Sequence, residues 1–553
     1  MRDYDEITAF LGEWGPAQKL IFLLLTVSVI PNGFAGLSII FVGDTPEHRC
    51  SIPGNLNLSQ AWMNRTIPLV PGTQVQYSQC SRYRLDVIRN LSDVFPDPDL
   101  LNVSGIEEEP CLDGWDYSHD QYTSTIVSEW DLVCNDDWKE PFAASLYFVG
   151  VLIGSGSSGM ISDRFGRKIV LFGTMGVQVL FNLLITLSPS WEIFCLINFF
   201  KGIGEISNYM TAFVLGSELL QKSIRVTYST LGIGFFYAVG YMLLPFVAYF
   251  MRGWRMLILI LSLISLLYIP LWWFIPESPR WLLSKGRVKE AESIIRFMAK
   301  KNGITPPAVL FTDDELEHIQ NKQVKSVPVI QLIKTSRIRA VTMINLVVWM
   351  ILAIGYYGLS LNVPNLHGND YLNCFLFGAI EIPAKYRSLR LLKMLIFPGN
   401  GLLTILPDAL LFLFFLGLLV LSTVLVLIGK LGNTCAFSIA FVYTSELYPT
   451  PMRNTGIGVS SMASRAGSII SPYVVMLDAY KENLPFIVMG VLMVFSAIVV
   501  LFLPETFNIP LPDTISQMQK VKWFKIRRCS YSYVSKTKTI GENNVVIFKE
   551  EML

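Results

Sequence analysis

Apolar runs of about twenty residues recur along this chain, and no other feature limits its fold so strongly. A helix rising 1.5 Å per residue needs roughly 20 mostly apolar residues to cross a hydrocarbon layer about 30 Å thick. Runs of that kind lie at about 20–42, 142–162, 169–187, 191–215, 228–250, 255–275, 340–362, 456–478 and 484–504. A longer apolar region from about 394 to 447, together with the weak segment 371–384, is expected to supply spans eight, nine and ten of twelve. Backbone groups in lipid have no water to bond, so such runs must be helical. Composition agrees: 52% of the residues are hydrophobic and 16% charged, too few polar side chains to coat several water-soluble cores. With 44 basic and 43 acidic side chains, the chain has no basic excess for a nucleic-acid partner. The expected class is an all-α polytopic membrane protein, with lipid as its surroundings and no cleavable leader, because residues 1–19 carry Asp3, Asp5, Glu6 and Glu13 where a leader is basic.

Two hydrophilic segments orient it. Loop 43–141 holds 17 Asp/Glu against 6 Lys/Arg, four cysteines (Cys50, Cys80, Cys111, Cys134) and sequons at Asn57, Asn64, Asn90 and Asn102. Four sequons and four cysteines in one loop predict a glycosylated, disulfide-stapled extracellular domain; which cysteines pair stays open among three possibilities. Segment 276–339 has 12 Lys/Arg against 7 Asp/Glu and is expected to be cytoplasmic, as basic loops are. The predicted organisation is a cytoplasmic N-terminus 1–19, a six-helix half 20–275 carrying the extracellular loop, a cytoplasmic linker 276–339, a second six-helix half 340–504 and a cytoplasmic tail 505–553. Two six-helix halves around a central cavity are the layout of a major-facilitator carrier, whose halves rock about a site near the bilayer midplane.

Motifs strengthen that reading. Gly159-Met-Ile-Ser-Asp163-Arg164-Phe-Gly166-Arg167-Lys168 resembles the facilitator signature between spans two and three. Gly159 is expected to let two helices touch and Gly166 to make the cytoplasmic turn, while Asp163, Arg164 and Arg167 would supply a conformational latch. Ser124 to Cys134, Pro276-Glu277-Ser-Pro279-Arg280-Trp281 and Glu446-Leu-Tyr-Pro449-Thr-Pro-Met-Arg453 resemble the organic-ion transporter family. The opening Met1-Arg-Asp-Tyr-Asp-Glu, Phe10-Leu-Gly-Glu-Trp-Gly-Pro16 and Ile30-Pro-Asn32-Gly-Phe34 are similar to its organic cation/carnitine branch, over most of 1–385 and 430–525.

Charged residues inside spans are costly unless they face a watery pathway. Arg465, in span eleven, offers a fixed, always-charged fork for a carboxylate; the resemblance places an arginine there in the carnitine-like branch and an acid in organic-cation relatives. A quaternary ammonium wants aromatic faces within about 6 Å, and the resemblance puts Tyr209, Tyr237, Tyr356 and Phe441 at the cavity, with Asn208 beside them. Asn32 and Gln178 are oxygen donors suited to a sodium ion, and the resemblance links Glu446 to cation coupling. Lys201 and Glu205, four apart in span four, can pair on one face; if Glu205 faces the cavity it adds a negative charge. Gly216 to Ser223 has P-loop spacing but Gln221 where a glycine is needed, so no nucleotide site is expected. Nor is a metal or other cofactor expected, apart from sodium as a cosubstrate.

The resemblance therefore implies a plasma-membrane carrier, not an enzyme, for carnitine and related zwitterions or organic cations, coupled to sodium. The unit is expected to be a monomer, with both termini cytoplasmic and the tail open to scaffold proteins. The alternatives are a sodium-independent facilitator of organic cations or anions, and a transport-impaired variant. The last arises because Lys385-Tyr-Arg387-Ser-Leu-Arg390-Leu-Leu-Lys393 departs from the branch, leaves 371–384 short of a span, and obscures the register over 386–420.

Overall fold

The computed structural model describes residues 4–54, 58–69, 77–95, 105–307, 309–312, 330–394, 419–449, 452–481 and 483–504. In the first half the spans are Pro16–Val42, Lys139–Phe165, Arg167–Ile185, Trp191–Leu219, Ser223–Phe250 and Trp254–Leu266. In the second they are Ser336–Leu361, Asp370–Met394, Leu419–Leu447, Arg453–Val475 and Leu484–Val500. These take the numbers one to eight and ten to twelve, because the stretch expected to hold span nine lies outside the described residues. The eighth helix continues to Met394, past the 14-residue apolar run that looked too short. Its cations begin at Lys385, beyond the middle of the 25-residue helix.

Among the described residues, seven helices are long and apolar enough to cross a membrane by length and composition. Spans four, eight and eleven are long but fall outside that set, and they are the ones that carry Lys201 and Glu205, Glu381 and Lys385, and Arg465. Polarity that lowers their hydropathy is the polarity of the protein interior.

The first span is broken into Pro16–Val27, Ile30–Ala35 and Ile39–Val42, with Pro31 and Gly33 in the middle piece and Gly36 at its end. There it crosses span five with backbones in contact: a Cβ on Gly33 would sit 2.2 Å from the Tyr237 carbonyl oxygen, and one on Gly240 2.2 Å from that of Ile30. Small residues of this kind let membrane helices approach without a hydrophobic drive between them. The halves meet along spans five and eight and along spans two and eleven, where the Ser145 hydroxyl donates to the Ile469 carbonyl at 2.8 Å.

Outside, two short antiparallel ribbons, His48–Cys50 with Trp115–Tyr117 and Ser81–Tyr83 with Glu108–Pro110, frame the loop domain. Its disulfides are Cys50–Cys111 and Cys80–Cys134, which selects one of the three pairings. Arg82, buried at their centre, donates to Glu109 (3.0 Å), Asp113 (2.5 Å) and the Ser51 carbonyl (2.6 Å). The domain is seated on span six by Glu129, which accepts from Trp254 Nε1 at 2.7 Å and pairs with Arg255 at 2.5 Å. Asn64 and Asn90 are exposed; Asn57 and Asn102 lie outside the described residues, as does the tail 505–553.

Candidate functional site

The signature between spans two and three folds into a charge cluster that joins the first half to the linker. Gly166 turns the chain at φ +106°. Arg167 pairs with Asp163 at 2.7 Å and with Glu218 of span four at 3.1 Å. Glu277, from the linker motif, accepts from the backbone N–H groups of Arg167 and Lys168 at 3.1 Å and so caps the start of span three, a favoured place for an anion. Arg164 is exposed and lies over Phe165. Gly159 does not bring two helices together, since a Cβ there would meet nothing within 4 Å; the tight crossing of spans two and four is made one and two turns earlier, at Gly150 and Gly154.

Between the halves lies a central cavity of about 150 Å³. Spans one, two, four and five bring Asn32, Tyr147, Glu205, Tyr209 and Tyr237 to its wall, and spans seven, eight, ten and eleven bring Tyr356, Tyr357, Glu381, Lys385, Phe437 and Arg465. Five expected residues, Arg465, Tyr209, Tyr237, Tyr356 and Asn32, therefore share one cavity. The rings meet edge to face: Tyr209 on Tyr237 with centroids 6.2 Å apart, Tyr356 on Tyr357 at 5.1 Å. Such an arrangement offers several π-faces to one cation.

Other expected residues lie elsewhere. Phe441 packs on Trp349, 4.9 Å between centroids, and is 40% exposed; Phe437, one turn earlier, takes the lining position. Asn208 stands behind the wall, accepting from Asn32 Nδ2 at 3.1 Å and donating to the Leu171 carbonyl at 2.9 Å. Gln178 is buried with both amide atoms unpartnered, and Asn32 Oδ1 is unpartnered too. Glu446 falls at the end of span ten, outside the lining.

Arg465 is not satisfied by Glu381. Its Nη1 donates to the Tyr357 hydroxyl at 3.3 Å, and its Nε is buried without a partner. Glu381 is held instead by Lys430 of span ten, 3.6 Å away, both side chains at most 1% exposed, and accepts from the Tyr356 hydroxyl. Lys430 also donates to Ser360 at 2.6 Å and stands 3.3 Å from the centroid of the Tyr356 ring. Lys201 and Glu205 do not close the simple pair that their spacing suggested. The Lys201 ammonium donates to Ser38 of span one at 3.0 Å. Glu205 faces the cavity, hydrogen-bonded by Tyr147 and leaving Oε2 without a partner. Sequence reading missed Lys430, although a lone lysine amid Leu and Val in span ten was the signal that could have found it.

A second cavity, about 950 Å³, opens beneath the loop domain and is lined by Asp44, His48, Asp137, Glu140 and Asp478 together with the outer ends of spans one, seven and eleven. Burial pushes Asp44 up to about 7, against the pull of a hydrogen bond from Tyr122.

Two six-helix halves enclosing a polar cavity define a carrier of the major-facilitator class. The fold is that of the xylose transporter XylE from E. coli in its inward-open conformation, with a TM-score of 0.58 at 16% identity over 91% of this chain and 100% of the other. The sugar (and other) transporter family model matches residues 117–362 and 408–516. Organic cation/carnitine transporter 2 from Homo sapiens is 53% identical over 96% of both chains. Solute carrier family 22 member 4 from Mus musculus is 50% identical over 95% of this chain and 96% of its own. The chain belongs to the organic cation/carnitine transporter branch of the organic-ion transporter family, within the major facilitators. It is a multi-pass membrane transporter, not an enzyme.

Proposed function

We propose that this protein is a plasma-membrane secondary carrier of carnitine or a closely related betaine, working by alternating access and coupled to sodium. The observation that carries the reading is the single cavity in which Arg465 and the tyrosines Tyr209, Tyr237, Tyr356 and Tyr357 converge. Arg465 has donor capacity to spare, and its planar fork suits a carboxylate. The rings suit a trimethylammonium group at the other end of the same small molecule. Relatives named for carnitine and organic cations support the same substrate class.

Sodium coupling is supported by neutral oxygen donors in the first half, Asn32 in the cavity wall and Gln178 in span three. Asn32 Oδ1 and Gln178 Oε1 are buried and unpartnered, which fits a small hard cation better than a thiol or imidazole set would. Glu446 does not fit with them, because it lies at the far end of span ten. In the transport cycle the halves rock against each other along spans five and eight and spans two and eleven, and the Asp163–Arg167–Glu218 cluster with Glu277 steadies one of the two states. The loop domain faces outward and is glycosylated, with both termini inside. Glycosidase treatment should lower the apparent mass, and should lower it less once Asn64 and Asn90 are removed.

Radiolabelled carnitine uptake in cells expressing the protein, with and without replacement of sodium, tests the reading. Saturable uptake that falls when sodium is removed is the expected result. No uptake of carnitine, another betaine or tetraethylammonium, by protein shown to be at the cell surface, overturns it.

A further inference from the structure

The charges around the central cavity do not cancel. Four charged residues line it: Glu205, Glu381, Lys385 and Arg465. Each carboxylate has a lysine behind it that does not itself line the cavity. Glu381 is ion-paired with Lys430, and Glu205 feels Lys201, one turn earlier on the same helix. The two lysines match the two carboxylates in number, although only Glu381 and Lys430 close an ion pair. Lys385 and Arg465 remain, and each donates to a neutral hydroxyl, Lys385 to Ser438 at 3.3 Å and Arg465 to Tyr357 at 3.3 Å. The carbon stem of Lys385 rests against Gly234 of span five, where a Cβ would come within 3.2 Å of it, so its position is set by packing as well as by charge. Among the described residues the cavity thus has two cations in excess, which is costly unless something entering it supplies opposite charge.

We propose that Lys385 is a second acid-binding residue and that the cavity takes zwitterions carrying two carboxylates, one for Arg465 and one for Lys385, in preference to those carrying one. This rests on the reading that Arg465 receives a substrate carboxylate, and it extends that reading to a substrate class. A betaine with a single carboxylate leaves one cation unanswered; a trimethylammonium compound with two leaves none. Lys385 would thus be a specificity-determining residue, acting through charge rather than through shape.

The probes are carnitine, its hemisuccinate ester, which ends in a second carboxylate, and the methyl ester of that hemisuccinate, which has the same length without the charge. All are radiolabelled and presented to the full-length protein in cells, with surface protein quantified. Uptake efficiency (kcat/KM) is expected to be at least about tenfold higher for the diacid than for its methyl ester. Lys385→Gln should abolish that discrimination, read as the ratio of diacid to methyl-ester uptake by the same surface protein, and Lys385→Arg should retain it. The wild-type comparison stands without any variant: equal uptake of diacid and methyl ester overturns the proposal. So does discrimination that survives in Lys385→Gln, or is lost equally in Lys385→Arg. Uptake of carnitine without preference for the diacid leaves the carrier reading standing and removes only this inference. Uptake of none of the probes overturns both.

Discussion

The two halves of the molecule carry the same small device and use it differently. In the second half, Lys430 of span ten donates to Ser360 of span seven and closes on Glu381, whose other contact is the Tyr356 hydroxyl. In the first, Lys201 of span four donates to Ser38 of span one, and Glu205 is held by the Tyr147 hydroxyl. Lysine on the fourth helix of a half, serine on the first, and a carboxylate braced by a tyrosine recur across the internal duplication that such carriers are built on. Yet the second-half pair is an ion pair sealed from solvent, whereas the first-half carboxylate keeps an oxygen unpartnered at the cavity. A buried ion pair that is complete acts as structure, and one left open remains available to a ligand.

Breaking the sealed pair is expected to have the largest effect. Removing one partner of a buried pair leaves an uncompensated charge and costs about 3–5 kcal/mol. Glu381→Gln or Lys430→Met should therefore abolish surface delivery, and the two changes together should restore much of it. Surface biotinylation of the two single variants and the double variant checks this; a double variant no better than either single one would show that the two residues act separately.

Glu205→Gln is expected to cost less, about 1–3 kcal/mol, because the carboxylate already lacks one partner. Surface protein should persist while uptake of a cation without a carboxylate, such as tetraethylammonium, weakens severalfold. If Glu205→Gln instead matches Glu381→Gln in loss of surface protein, the distinction between the sealed and the open pair is wrong.

Outside the membrane the expected effect is on pH dependence and not on delivery or uptake. Burial raises the Asp44 carboxyl from 3.8 to about 7, so the folded protein holds a proton there that the unfolded chain has released. Stability from this group is full below about pH 4 and is lost as the pH rises towards 7 and beyond. Asp44→Asn should flatten that slope in thermal unfolding of the detergent-solubilised protein between pH 4 and 8. An unchanged slope would mean that the wide outer cavity hydrates Asp44.

Legibility differed between regions for physical reasons. The spans could be read because hydrocarbon thickness sets their length, and the loop domain because sequons and cysteines are local. Span eight could not: its apolar run stops at Ala384, while its helix runs on to Met394. Arg465 stood out as an isolated charge in a Ser/Gly-rich span, and the structure sets it at the cavity as expected. The Glu381–Lys430 pair was not legible, because the two lie 49 residues apart and only folding makes them partners. For the same reason Phe441 and Phe437, a single turn apart, could not be told apart by composition.

Substituting Arg465 by lysine tests the central claim most directly, because it keeps the charge and removes the fork. Uptake of carnitine and of tetraethylammonium would be measured side by side in cells, normalised to surface protein. Carnitine uptake is expected to fall by at least about tenfold while tetraethylammonium uptake stays within about twofold of the parent. An equal loss for both substrates would contradict the account, since it would make Arg465 part of the scaffold of span eleven and not the residue that receives the carboxylate.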